Sequence, residues 1–330
     1  MSRTVPDREP RRRLSWPADA PRVGIHLGVR TGLLKAGQRA RQIGATSLQI
    51  FSDNPTAWRR RTQPPRDASR FVDYVQRASI APIAIHASYL INLAGSSQPF
   101  ASQSLAGLIH EVERAPAYGA SLVNVHIGSH RGGGSDAGLE RIAANVVRVL
   151  EATPPGVSLV LENSAGGGDT LGATIEQLAV ILESVGALSG TSAGRVSFCL
   201  DSAHLWGSGY DIATMDGVDH VVGRFAELIG LERLPLIHLN DSRSLLGSRT
   251  DRHEHLGAGQ IGPAGLGALL RDPRLRTGTT FIMETPGVDE GYDAVNMRRA
   301  LQLFEGAVEL PQLPARAFTL SRRSTRAGIG

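Results

Sequence analysis

What most constrains this chain is the set of residues at the ends of its apolar segments. Eight short segments rich in Val, Ile, Leu and Phe read as buried β-strands. Seven of them run into a side chain able to bind a metal: Val23-Gly24-Ile25-His26, Ile83-Ala84-Ile85-His86, Val123-Asn124-Val125-His126, Leu159-Val160-Leu161-Glu162, Ser197-Phe198-Cys199-Leu200-Asp201, Leu236-Ile237-His238 and Phe281-Ile282-Met283-Glu284. The eighth, Leu48-Gln49-Ile50-Phe51, runs into Ser52-Asp53. Buried strands ordinarily end in turn residues. One imidazole or carboxylate per strand, always at the same end, requires parallel strands that aim these groups into one pocket. The predicted fold is therefore an α/β protein, a single (β/α)8 TIM barrel with a metal site at the C-terminal face of the strands.

The segments between the strands support this. Ala, Leu, Val, Ile and Arg recur at helical spacing over roughly 32–43, 67–78, 100–117, 137–151, 173–185, 211–228, 263–271 and 290–305. Ile142, Val146, Val149 and Leu150, for example, fall on one helical face. An unbroken βα series implies one domain, expected over 21–307, between a basic, disordered extension at 1–20 and a basic tail at 308–330. The glycine clusters at 132–134, 166–168 and 257–262 match no phosphate-binding fingerprint and read as tight loops.

Composition removes several classes of function. Lys35 is the only lysine and lies in the first predicted helix, which excludes Schiff-base chemistry by a barrel lysine. Cys199 is the only cysteine and sits inside a strand, so no internal disulfide forms and a cytoplasmic location is expected. No apolar run reaches the ~18 residues that would span a bilayer, and the Arg- and Pro-rich N-terminus has no secretory core. The net charge of +4 is carried by the ends: 1–13 and 310–330 are both basic, leaving an acidic body. Acidic residues grouped at one site await cations, and basic ends suit a polyanion.

Two further spacings sharpen the site. Asp201-Ser202-Ala203-His204 places an imidazole three residues after a carboxylate, and Asp251-Arg252-His253 pairs the two groups beyond the seventh strand. The candidate ligands are then His86, His126, Glu162, Asp201, His204, His238, Asp251, His253 and Glu284. Imidazole and carboxylate without thiolate suit Zn²⁺, Mn²⁺ or Fe²⁺ at a catalytic site. Nine ligands are enough for three ions when a carboxylate bridges. Glu162 and Asp201 lie on successive strands, which suits Glu162 bridging two ions and Asp201 holding one of them beside the nucleophilic water, with His204, Asp251 and His253 around a third ion. His26 is expected to orient a ligand rather than bind. His130 stands apart, His255 is expected to be exposed, and His110 and His220 fall on helix surfaces. Clustered divalent ions hydrolyse phosphate esters.

These residues, in this order, resemble the endonuclease IV family of apurinic/apyrimidinic endonucleases over about 22–305. The matching segments are His86-Ala87-Ser88-Tyr89-Leu90-Ile91-Asn92, Asn124-Val125-His126-Ile127-Gly128-Ser129-His130, Leu161-Glu162-Asn163-Ser164, Leu200-Asp201-Ser202-Ala203-His204, His238-Leu239-Asn240-Asp241-Ser242, Asp251-Arg252-His253 and Met283-Glu284-Thr285-Pro286. The resemblance implies a monomeric trinuclear-zinc enzyme that cuts duplex DNA 5′ to an abasic site and also clears blocked 3′ ends. By motif, His86, His126 and Glu162 would hold the first ion. Glu162, Asp201, His238 and Glu284 would hold the second, and His204, Asp251 and His253 the third, with Glu162, Asp201 and Glu284 as the catalytic carboxylates. Tyr89 and Leu90 would enter the duplex, and Trp58, Arg59 and Arg252 would contact DNA, the Arg59–Arg61 run gripping phosphate. Thr56 stands where familiar enterobacterial-type members carry an arginine wedge, a subfamily difference. The alternative is a xylose-isomerase-like sugar isomerase or epimerase, which shares the barrel but typically lacks the Asp251/His253 pair, His204 and the Tyr89 loop.

Overall fold

The computed structural model describes residues 14–324, with side chains described through residue 319. The strands are β1 (Arg22–His26), β2 (Ser47–Ile50), β3 (Ile83–His86), β4 (Leu122–His126), β5 (Ser158–Glu162), β6 (Val196–Asp201), β7 (Leu236–His238), β8 (Asp241–Ser242), β9 (His253–Glu254) and β10 (Thr280–Met283). The helices are α1 (Leu33–Ile43), α2 (Ala68–Arg77), α3 (Phe100–Arg114), α4 (Ser135–Ala152), α5 (Ile175–Leu188), α6 (Gly190–Ala193), α7 (Ser202–Ser208), α8 (Met215–Leu228), α9 (Gly262–Arg271), α10 (Tyr292–Phe304) and α11 (Ala315–Ser324). Eight strands close a parallel barrel in the order β1-β10-β7-β6-β5-β4-β3-β2, and β8 and β9 form a small antiparallel ribbon above it. Among the described residues no helix is long and apolar enough to cross a membrane.

Strand periodicity places the site. Side chains two apart share a face of a strand, so the residues two before the strand-end ligands also point into the barrel. Ala84, Val160, Cys199, Leu236 and Ile282 stand at those positions and, with Leu122, form a separate buried apolar cluster. This plug lies beneath the polar layer and closes the barrel below it. The larger core lies between strands and helices and includes the predicted α4 face of Ile142, Val146, Val149 and Leu150. At the β1–β2 seam a Cβ on Gly24 would lie 2.3 Å from the Ser47 carbonyl oxygen, so only glycine fits there. Arg39 on α1 forks onto both carboxylate oxygens of buried Asp293 on α10, tying the first and last βα units together.

Three helices differ from expectation. α7 starts directly after Asp201, and its first turn is capped by that residue, whose Oδ1 accepts the His204 amide at 3.0 Å. α6 is a single short turn. α11 lies inside the segment read as a basic tail. At the other end, the extension at 1–20 was expected to be disordered. Its described part, from Leu14, packs on the barrel: Trp16 Nε1 donates to the Gly44 carbonyl at 3.0 Å, and its ring meets Phe304 edge-on. The remaining basic residues of the two ends, 1–13 and 325–330, lie outside the described residues.

Candidate metal centre

The parallel register sets the ligands side by side. His126 is level with Glu162 across β4–β5, and Asp201 is level with His238 across β6–β7. Ligand atoms fall within 4.8 Å of one another in the groups His86/His126/Glu162, Glu162/Asp201/His238/Glu284 and Asp201/His204/His253. The first two match the groups expected from sequence. The third differs by including Asp201, whose Oδ2 is 3.4 Å from His253 Nε2. Asp251 completes it, 3.1 Å from His253 Nε2 and 3.3 Å from His204 Nε2. Glu162 and Asp201, both fully buried, are therefore each shared between two groups.

The donor set fits divalent cations. It is all nitrogen and oxygen, and buried His253 Nε2 lies between the Asp201 and Asp251 carboxylates without a well-aligned hydrogen bond to either. A fourth grouping brings in Cys199 with Glu162 and His238, but Cys199 belongs to the apolar cluster beneath the polar layer, where burial pushes its thiol up to about 12. Charges within the cluster hold one another. Burial alone would raise Glu162, yet His126 and His238 beside it hold its carboxyl well below the usual range. His204 would be lowered by burial, but Asp201 and Asp251 push it up to about 10. Asp251 is held well below its usual range by His253 and His204 despite desolvation. Its side chain is 49% exposed and that of His126 39%, so solvent screens these two and the cluster opens outward on their side.

A ring of amides around the ligands escaped the sequence reading. Gln49 is fully buried; its Nε2 donates to Glu284 Oε1 at 2.7 Å and its Oε1 lies 3.0 Å from His238 Nε2. Asn124 donates to Glu162 Oε2 at 2.5 Å. Asn240 donates to Asp201 Oδ2 at 2.7 Å and accepts the Glu284 amide at 2.8 Å. Asn163 accepts the Asp201 amide at 2.7 Å, and its carbonyl lies 2.9 Å from His204 Nδ1. The only signal in the sequence was an amide flanked by aliphatic residues, as in Leu48-Gln49-Ile50 and Val123-Asn124-Val125. His26 sits where it was expected, with Nδ1 3.2 Å from Glu284 Oε1 and its ring against Phe51.

Other histidines fall outside the cluster. His255, expected to be exposed, is fully buried, because its ring packs on Tyr292 and its Nδ1 accepts from Asn296 at 2.9 Å. His220 is exposed, and His110 is half-buried with Nε2 3.9 Å from Asp53. His130 lines a hollow of about 260 Å³ with Trp58, Tyr89, Leu90, Phe100 and Arg131.

Tyr89 stands at the mouth, 56% exposed, with its ring 5.6 Å from that of His86 and 6.2 Å from that of His126. Arg59 is exposed, and Leu90, Trp58 and Arg252 are half-buried. The Arg59–Arg61 run does not act as one patch. Arg60 turns inward to Glu111 at 3.3 Å, and Arg61 pairs with Asp53 at 3.1 Å. Thr56 is bound into a turn by Asn54, with its amide and hydroxyl both donating to Asn54 Oδ1.

A closed barrel whose mouth gathers three overlapping groups of imidazole and carboxylate defines a barrel enzyme with a candidate metal centre. Residues 38–305 match the family model described as xylose isomerase-like TIM barrel. The chain belongs to the endonuclease IV family and is an enzyme of the deoxyribonuclease IV type. It is 37% identical to the probable endonuclease 4 of Natranaerobius thermophilus over 84% of this chain and 96% of that one. It is 36% identical to that of Chloroflexus aurantiacus over 87% of this chain and 99% of that one. The crystal structure of endonuclease IV from Thermus thermophilus superposes with a TM-score of 0.75 at 36% identity, covering 87% of this chain and all of that one. A D-tagatose 3-epimerase-like protein, at 17% identity and a TM-score of 0.62 over 86% of this chain and 97% of that one, shares the fold.

Proposed function

We propose that this enzyme hydrolyses the phosphodiester 5′ to abasic sites in duplex DNA, leaving a 3′-hydroxyl and a 5′-deoxyribose phosphate, and that it clears blocked 3′ ends by the same hydrolysis. The observation that carries this reading is the third ligand group. Glu162, Asp201, His238 and Glu284 alone would also suit a sugar epimerase, but His204, Asp251 and His253 converge beside them and share Asp201.

In this reading His86, His126 and Glu162 hold one Zn²⁺, Glu162, Asp201, His238 and Glu284 a second, and His204, Asp251 and His253 a third, with Mn²⁺ or Fe²⁺ as substitutes. When bound, clustered divalent ions lower the pKa of water and offset charge on the phosphate oxygens. The chain supplies the rest. Glu162 and Asp201 keep the ion sites close, and Gln49, Asn124 and Asn240 fix the carboxylates that face them. Tyr89, exposed at the mouth, meets the substrate as a neutral ring, since a phenol keeps its proton at neutral pH. With Leu90 it suits the gap left by a missing base, while Arg59 and Arg252 lie available to phosphate.

The test is incision of a duplex carrying one abasic analogue. Cutting is expected from the metallated protein, to be lost after strong chelation, restored by Zn²⁺, and lowered more than about 100-fold in Glu162→Gln, since a shared ligand outweighs the orienting groups around it. A fully metallated sample that leaves the duplex intact would overturn the proposal.

A further inference from the structure

The family model ends at residue 305, yet the chain beyond it is built onto the site. After α10 the chain turns back across the loop that follows β9. Leu310 packs over Gly257, whose positive φ of 65° turns the loop and where a Cβ would lie 2.7 Å from Leu310 Cδ1. Arg299 on α10 joins the two segments: its Nε donates to the Leu256 carbonyl and its Nη1 donates to the Pro311 carbonyl at 2.7 Å. α11 then packs against β9 itself. Ala317 is fully buried, and the Phe318 ring meets the His255 ring edge-on.

β9 begins with His253, so these contacts fall within two to four residues of a third-group ligand. The Asp251 loop is held from the barrel side by the β8–β9 ribbon, by the Arg243 amide donating to the Arg252 carbonyl and by the ion pairs of Asp251 with His204 and His253. Residues 245–247 and 249–251 are exposed. On the barrel side, backbone bonds run from the Gly247 and Arg249 amides to the carbonyls of Trp206 and Gly207. The outer side of β9 is covered by the C-terminal segment.

We propose that residues 307–319 form a strap that positions the Asp251–His253 arm, so that retention of the third ion depends on chain outside the family match. Ala317 and Phe318 are positioning residues, acting through β9 and touching neither ion nor substrate. This rests on the trinuclear reading above, which the same experiment checks separately.

The experiment uses the full chain loaded with zinc, dialysed against graded chelator, with ions per chain counted at each step. Ala317→Asp places a carboxylate at the buried contact, and Phe318→Ala removes only the ring. The parent is expected to hold three ions. The variants are expected to release one of them at about 10–100-fold lower chelator, as when groups that orient a ligand are lost. The other two ions should follow the parent curve, and His253→Asn should show the same pattern. Loss of all three ions along the parent curve would overturn the strap. So would a parallel loss of all three in Phe318→Ala, the variant expected to fold even where Ala317→Asp does not. A parent that holds fewer than three ions would overturn the trinuclear reading, and the strap with it.

Discussion

Asn240 shows how much of the centre depends on residues that bind nothing. Its side chain donates to Asp201 and accepts from the backbone of Glu284, so one amide orients ligands on two strands. Asn240→Ala should weaken retention of the ions shared by these carboxylates about 10–100-fold, read by chelator titration, while leaving the barrel folded. Glu111 makes a different prediction. It lies buried beneath the Trp58–Arg59 loop with Arg60 and Ser52 as partners, and burial lifts its carboxyl to about 7. A carboxyl raised on folding holds its proton more tightly in the native state, so its contribution to stability is full below about 4.3, the unfolded value. That contribution is lost as pH rises through 7. Urea midpoints at pH 5 and pH 8 should therefore show the parent losing stability relative to Glu111→Gln. A constant difference between the two proteins would contradict the assignment. The partner residues were illegible in sequence for a physical reason: a lone amide or carboxylate among aliphatic neighbours does not reveal which distant strand it faces.

At the scale of elements, the strands were the legible part. Alternation with period two put every strand-end ligand and the apolar plug below it on the inner face, and parallel register did the rest. Gly24→Ala tests that seam directly. A methyl 2.3 Å from the Ser47 carbonyl must push β1 from β2, and a cost of about 1–3 kcal/mol is expected from denaturant unfolding. The short elements were less legible. α7 has seven residues, too few for a helical period to declare itself, and its start is set by the Asp201 cap. α11 reads as a basic tail because its apolar contacts, buried Ala317 and the Phe318 ring on His255, exist only once β9 is in place. The loop after β3 carries the DNA-facing prediction. Tyr89→Ala should weaken binding of an abasic duplex by about 1–3 kcal/mol, the usual worth of a ring stacked on a base. Metal content should stay at the parent value; a loss of ions would instead make Tyr89 a support of His86 and His126.

For the whole molecule, fold and function meet at one geometric fact: eight parallel strands leave a single face where nine nitrogen- and oxygen-donor side chains converge. The barrel by itself does not choose between a nuclease and an epimerase, since the D-tagatose 3-epimerase-like protein shares it. The choice rests on the Asp251–His253 arm, which the C-terminal segment covers. Between two ways of breaking a strand, the near absence of lysine favours hydrolysis, because elimination through an imine needs an amine, and the one lysine, Lys35, lies on α1 away from the site. The ends of the broken strand therefore test the central claim most directly. An abasic duplex cut by the zinc-loaded enzyme should carry a 3′-hydroxyl that a polymerase extends, opposite a 5′-deoxyribose phosphate. A 3′ unsaturated aldehyde, or an uncut duplex in a sample holding three ions per chain, would contradict the account.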